Sequence, residues 1–349
     1  MRLLLSLMLM TSLPAAASNE FPAQAVDAMM ESYAGEAPGA SVLVLRDGVP
    51  LLRKAYGLAD LEGRVVATPA TNYRLASVTK QFTAAAIMLL VEEGRLTLDD
   101  RARHWLPSLP HAADSITVRH LLTHSSGLID YEDAMPADAT GQLRDADVLR
   151  LLENQCHTYF EPGTGYRYSN SGYALLALIV ERASGRSFPD FLRLRIFQPL
   201  GMAHTLAYAA GGPSIADRAY GYSESTGGWV RTDQSPTSAV LGDGGIYSSI
   251  DDLAKWDAAL YDDRLLSDAS RKLMFAPHMA TDEPGIRYGF GWRITGETLW
   301  HSGETIGFRN VIVRYPDRRL SVILLTNRNG PEPYGTAKAI ARLVDTQAD

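Results

Sequence analysis

Residues 74–82 read RLASVTKQF, and they set Ser77 and Lys80 three positions apart at the head of a long apolar stretch. The run that follows, "AAAIMLLV" at 84–91, is apolar on nearly every side of a helix. A helix over 77–93 with no polar face has to be central and buried, with Gly94 as its stop. On that helix Ser77 and Lys80 share one face. Two readings are open. The pair is an ordinary helix start, with a serine cap and a surface lysine, or the lysine is there to take the serine's proton. A serine hydroxyl is a poor nucleophile until a base removes its proton. A lysine can do this when burial or a nearby cation lowers its pKa. The free amides of a helix start also favour an anion forming there. Taken alone, the spacing is a weak signal.

Working outward, residues 22–34 carry Val26, Met29, Met30 and Tyr33 at helical spacing. "GASVLVLRDGVPLLRKAYG" then gives two strand-like runs around Asp47-Gly48, a strong hairpin signal. From about 105 to 235 prolines, loops and short helical runs dominate. They include "VRHLLTHSSGL", the apolar "SNSGYALLALIVERASG" and "FPDFLRLRIFQPLGM". The chain then returns to strands in "YGFGWRI", "TLWHSG", "FRNVIVRYP" and "LSVILLTN", and closes on the helical "PYGTAKAIARLV". Strands joined by hairpins pair antiparallel. The expected fold is therefore α+β: an antiparallel β-sheet flanked by helices with an all-helical insertion. The α/β part is expected at about 20–104 and 236–349 of a single catalytic domain spanning 18–349, and the insertion at about 105–235.

The 349 residues are 46% apolar and 21% charged, enough for a real core, and the formal net charge is -7. No Lys/Arg run stands out, so nucleic acid is not an expected partner. The start, "MRLLLSLMLMTSLPAAASNE", has Arg2, an apolar run from Leu3 to Leu13 and small residues at 15–17. It reads as a signal peptide over 1–17, cleaved after Ala17 or Ser18, and the mature protein is expected to be exported, periplasmic or secreted, with no stable membrane insertion. Cys156 is the single cysteine, so no internal disulfide forms, and "ENQCHTYF" holds nothing built to activate it.

Two further stretches carry chemistry. In "PGTGYRYSNSGY" (162–173), Tyr168 and Asn170 stand in a turn before an apolar helix. A phenol can relay a proton between nucleophile and leaving group. An amide can hold a substrate carbonyl and orient Lys80. In "LWHSGETIGF", His301-Ser302-Gly303 ends a strand, where a glycine lets a substrate backbone lie close. The amide of Glu304 could pair with that of Ser77 as an oxyanion hole.

Ser77-x-x-Lys80, Tyr168-x-Asn170 and His301-x-Gly303, in that order and spread, resemble the motif trio of the penicillin-recognising serine hydrolases. That superfamily holds class C β-lactamases, serine D-Ala-D-Ala peptidases and β-lactamase-like esterases. "HLLTHSSGL", "GGIYSSIDDLAKW" and "HSGETIGF" agree with it, and the resemblance covers residues 22–345. It implies Ser77 as the acylated nucleophile, Lys80 as its activating partner and Tyr168 as the proton relay. It implies substrate contacts at Asn170, His301, Ser302 and Gly303, and no cofactor. His301 stands where most relatives have a lysine whose fixed charge holds a β-lactam carboxylate; histidine is only partly charged near neutral pH. The expected activity is a peptidase or amidase on D-amino-acid or cell-wall-type peptides. The alternatives are a carboxylesterase, a β-lactamase of weak turnover, a penicillin-binding sensor that acylates and stops, and a protein that kept the fold without catalysis. Expected partners are a small-molecule or peptide substrate, β-lactams included. His120 and His124 have the i, i+4 spacing of zinc ligands, but "HLLTH" lacks the glutamate of H-E-x-x-H, and no metal is expected.

Overall fold

A computed structural model describes residues 21–136, 138–208 and 211–345; the leader reading falls outside them. The frame is one eight-stranded sheet, antiparallel at every pairing. Its strands are β1 (Ala40–Arg46), β2 (Val49–Tyr56), β3 (Met279–Ala280), β4 (Arg287–Tyr288), β5 (Arg293–Thr295), β6 (Thr298–Thr305), β7 (Phe308–Tyr315) and β8 (Leu320–Thr326), in the spatial order β3-β4-β5-β6-β7-β8-β1-β2. Strands from the two ends of the chain thus meet at β1–β8, where Ala40 pairs with Thr326 and Arg46 with Leu320. The Asp47-Gly48 turn has φ of 53° and 76°, the left-handed pair that a two-residue hairpin needs.

Alternation along the strands sends side chains to two cores. Val42, Val44, Val311, Val313, Val322 and Leu324 face the terminal helices α1 (Ala23–Met29) and α5 (Tyr334–Asp345), together with Val26, Met30, Ile340 and Val344. Leu43, Leu45, Ile312, Ile323 and Leu325 face a larger core built on α2 (Lys80–Glu92), α3 (Asn170–Ser184) and α4 (Ile250–Ala259). Every residue of α2 from Lys80 to Leu90 is buried, as its unbroken apolar run requires. Arg314 and Asp257 tie the sheet to α4 by a buried ion pair of 2.6 Å, shared with the Ser321 hydroxyl. Among the described residues no helix is long and apolar enough to cross a membrane.

The expected helical insertion is shorter than its sequence bounds. Its last helical stretch ends at Phe197; Leu206–Ala207 is a strand, and Tyr222–Ser225 pairs with Gly228–Arg231 as a hairpin. The adjacent glycines Gly227-Gly228 in "YSESTGGWVR" are a turn signal between two short runs, which favours a hairpin over a helix.

Candidate active site

The nucleophile candidate does not cap the buried helix. Ala76–Thr79 is a 3-10 turn that runs into α2 at Lys80. Side chains three apart eclipse in a 3-10 turn, which brings Lys80 over Ser77. Ala76, just before Ser77, has φ of +50°, an uncommon conformation for a residue with a Cβ. The turn is pinned on both sides: the Leu75 N–H donates to Ile246 O at 2.8 Å, and Asn310 Nδ2 donates to Arg74 O at 2.7 Å.

Lys80 is fully buried and has three partners. Its Nζ lies 3.0 Å from Ser77 Oγ, 2.9 Å from Asn170 Oδ1 and 2.9 Å from the Asp243 carbonyl. Three acceptors match the three protons of an ammonium, so the lysine is held without slack. The same nitrogen sits 4.9 Å from the centroid of the Tyr168 ring. Ser77, Lys80, Tyr168 and Asn170 are thus brought together from two separate parts of the chain. Asn170 opens α3 behind the Ser169 cap, and its Nδ2 donates to Glu132 Oε1 at 3.1 Å.

The His301-Ser302-Gly303 strand plays a different part from the one its motif suggests. His301 is 1% exposed. Its Nδ1 is 2.6 Å from the Ser302 carbonyl and its Nε2 is 3.0 Å from the Tyr288 hydroxyl. That pairing makes Nδ1 the donor and Nε2 the acceptor, so neither ring nitrogen is open to a substrate. Burial, with Arg293 and Lys80 nearby, holds the imidazole well below its usual pKa, and it stays neutral. A fixed positive charge at this position is therefore lost altogether. Ser302 has the strand parity of Trp300, on the α1/α5 side, and does not line the cleft. At Gly303 the protein's own backbone lies close: a Cβ there would meet the Leu75 carbonyl at 2.0 Å. Gly303 makes room for the turn that carries Ser77.

The cleft above Ser77 is open to solvent and is lined by Ser77, Glu132, Asn170, Asp243, Glu304 and Thr305 among others. A two-residue loop closes β6 and β7 at Thr305 and Phe308. Antiparallel alternation then leaves the Glu304 amide pointing away from β7. The Ser77 amide belongs to the first turn of a helical segment, which has no partner within that segment. These are the two amides expected to serve as an oxyanion hole.

Two cleft carboxyls escaped the sequence reading. Glu132 is raised by burial and by Asp130 beside it, with Asn170 and Lys80 pulling the other way. Asp243 is pushed up to about 7, chiefly by burial, and accepts the Tyr131 hydroxyl at 3.0 Å. Asp243 reaches Lys80 because its turn presses on α3: a Cβ at Gly242 would meet the Tyr173 carbonyl at 2.3 Å. The glycines of "LGDGG" (241–245) were the only hint in the sequence. Among the described residues no His, Cys, Asp and Glu group could hold a metal ion.

A serine hydrogen-bonded to a buried lysine, with Asn170 and Tyr168 beside them and an antiparallel sheet behind, defines a serine hydrolase of the penicillin-recognising class. The chain belongs to the beta-lactamase family, whose profile matches residues 23–347. It is 36% identical over 319 residues to a penicillin-binding protein of Bacillus subtilis, covering 85% of this chain and 70% of that one. It is 30% identical over 328 residues to a D-aminopeptidase of Gluconobacter oxydans, covering 91% of this chain; the match spans only 60% of that relative's length. A D-amino acid amidase of Ochrobactrum anthropi, solved with D-phenylalanine, superposes with a TM-score of 0.81 at 25% identity, over 94% of this chain and 99% of that one.

Proposed function

We propose that the protein is an exported amidase or aminopeptidase that cleaves D-amino-acid amides and short D-peptides through an acyl-enzyme on Ser77. One observation carries the substrate class: Glu132 lines the cleft with the neutral Asn170 amide on it, whereas Glu304 is paired with Arg309 and Asp243 is turned to Tyr131. Arg74, the Lys or Arg among the described lining residues, is committed to Ser238 and to the Gly244 carbonyl. A carboxyl at that place suits a free α-ammonium and offers little to a carboxylate. With His301 neutral, this separates the protein from enzymes that grip a β-lactam or a C-terminal carboxylate. The D-aminopeptidase and D-amino acid amidase relatives support the same class. Support for export comes from the leader-like first residues alone.

Lys80, with Tyr168, takes the Ser77 proton as Oγ attacks the amide carbonyl carbon. The oxyanion rests on the amides of Ser77 and Glu304. Tyr168 hands the proton to the leaving nitrogen, the C–N bond breaks, and Ser77 carries the acyl group as an ester. Water adds to the ester, its proton follows the same path back, and the free acid leaves. Lys80 must enter the first step with one donor position empty, because Ser77 Oγ, Asn170 and Asp243 otherwise occupy all three.

The test compares D-alanine p-nitroanilide with its N-acetyl derivative. The free amine should be preferred about tenfold to a hundredfold in kcat/KM, and Glu132→Gln should erase most of the preference. Equal rates, or a preference for the acetylated compound, would sink the aminopeptidase reading.

A further inference from the structure

We propose that His124 is a positioning residue for Tyr168, a clamp on residues 167 to 169 that fixes the Tyr168 ring beside Lys80. The proposal rests on the reading above that Tyr168 relays the proton. His124 lies in "LLTHSSG", far upstream of the motif it serves. Its Nδ1 accepts the Ser169 N–H at 3.0 Å, and its carbonyl accepts the Arg167 N–H at 3.0 Å. Its ring lies against Tyr168, with centroids 4.3 Å apart and planes 35° apart. One residue therefore grips three consecutive positions, 167 to 169, with Tyr168 in the middle.

The arrangement is costly, which argues against mere filling. His124 has φ of +56°, where a side chain is disfavoured. With Nδ1 accepting, Nε2 carries the proton, and this buried N–H has no hydrogen-bond partner. Leaving such a group unpaired is unfavourable, and an apolar side chain would avoid the cost. What imidazole supplies and an aliphatic side chain cannot is a flat face for Tyr168 together with an acceptor for Ser169. The clamp requires a neutral ring, since a protonated Nδ1 donates and cannot accept. Lys80 from α2, Arg293 from β5, the neutral His301 from β6 and the rings of Tyr166, Tyr173 and Tyr288 face it. Burial first, then the Lys80 and Arg293 charges, keep its pKa well below the usual histidine value.

The experiment uses p-nitrophenyl acetate, so that it does not depend on the D-amino-acid assignment. His124→Asn keeps an acceptor and tolerates a positive φ but removes the ring. It should lower kcat about tenfold to a hundredfold with KM within about twofold. Combined with Tyr168→Phe it should cost nothing beyond Tyr168→Phe alone, because both act through the same hydroxyl. Wild-type kcat in His124→Asn, or losses that multiply in the double variant, would overturn the proposal. A fully active Tyr168→Phe would instead overturn the relay reading, and the clamp with it. Should His124→Asn fail to fold, nitrogen-15 spectra of histidine-labelled wild type decide. An unprotonated Nδ1 at neutral pH supports the clamp, and a protonated Nδ1 refutes it.

Discussion

The two faces of the eight-stranded sheet solve opposite problems. On the α1/α5 face, Val42, Val313, Val322, Leu324 and Ile340 pack together, and Tyr56 and Trp300 turn their polar atoms out to Asp27 and Thr295. On the α2 face, the same sheet covers Lys80, His124, His301 and Asp243, all buried. The first face is stabilised mainly by apolar area. The second carries buried polar groups that are stable only while their partners stay in place. The difference teaches where mutation should read out as stability and where as rate.

The largest effect that keeps the faces apart is expected from Ile340→Ala. It empties part of the apolar cluster and should cost about 2–5 kcal/mol by denaturant titration, with kcat/KM of the folded fraction unchanged. A proportional fall in kcat/KM would show that the faces are coupled. Gly303→Ala tests the other side of the sheet. Its Cβ would run into the Leu75 carbonyl, so the turn bearing Ser77 has to move. Activity should fall about a hundredfold, against a stability loss of only about 1–3 kcal/mol. The smallest effect concerns Asp243. Its carboxyl is raised to about 7 in the folded protein by burial, from an ordinary value of 3.8. The folded state therefore holds a proton that the unfolded chain has released. That contribution is complete below about pH 4 and is lost as pH rises to about 7. Asp243→Asn cannot lose it, so its melting temperature should gain on wild type by a few degrees across that window and level off above it. A pH-independent gap would mean that Asp243 is not protonated on folding.

Much of the frame was legible because it rests on local chemistry. The Asp47-Gly48 turn, the alternating strands after residue 287 and the all-round apolar α2 each follow from neighbours in sequence. The Ser77–Lys80 juxtaposition was legible for the same reason, although the turn proved 3-10 where a helix start was expected. What stayed hidden comes from tertiary contact. Glu132, Asp243 and Asn310 have no fixed spacing to any motif and reach the site through packing. His301 shows the limit best. Its motif announced the strand, but the direction of its ring depends on Tyr288, which lies across the sheet. His124 stood out in the sequence only for its spacing from His120, since nothing there signals that its ring meets Tyr168.

The measurement that bears most directly on Ser77 is intact-mass spectrometry during turnover of p-nitrophenyl acetate, beside Ser77→Ala. One acetyl group should appear per wild-type molecule and map to Ser77. The variant should stay unmodified, melt like wild type and lose about four orders of magnitude in kcat. Acetylation at another residue, or turnover that survives Ser77→Ala, would contradict the acyl-enzyme and remove Ser77 as the nucleophile.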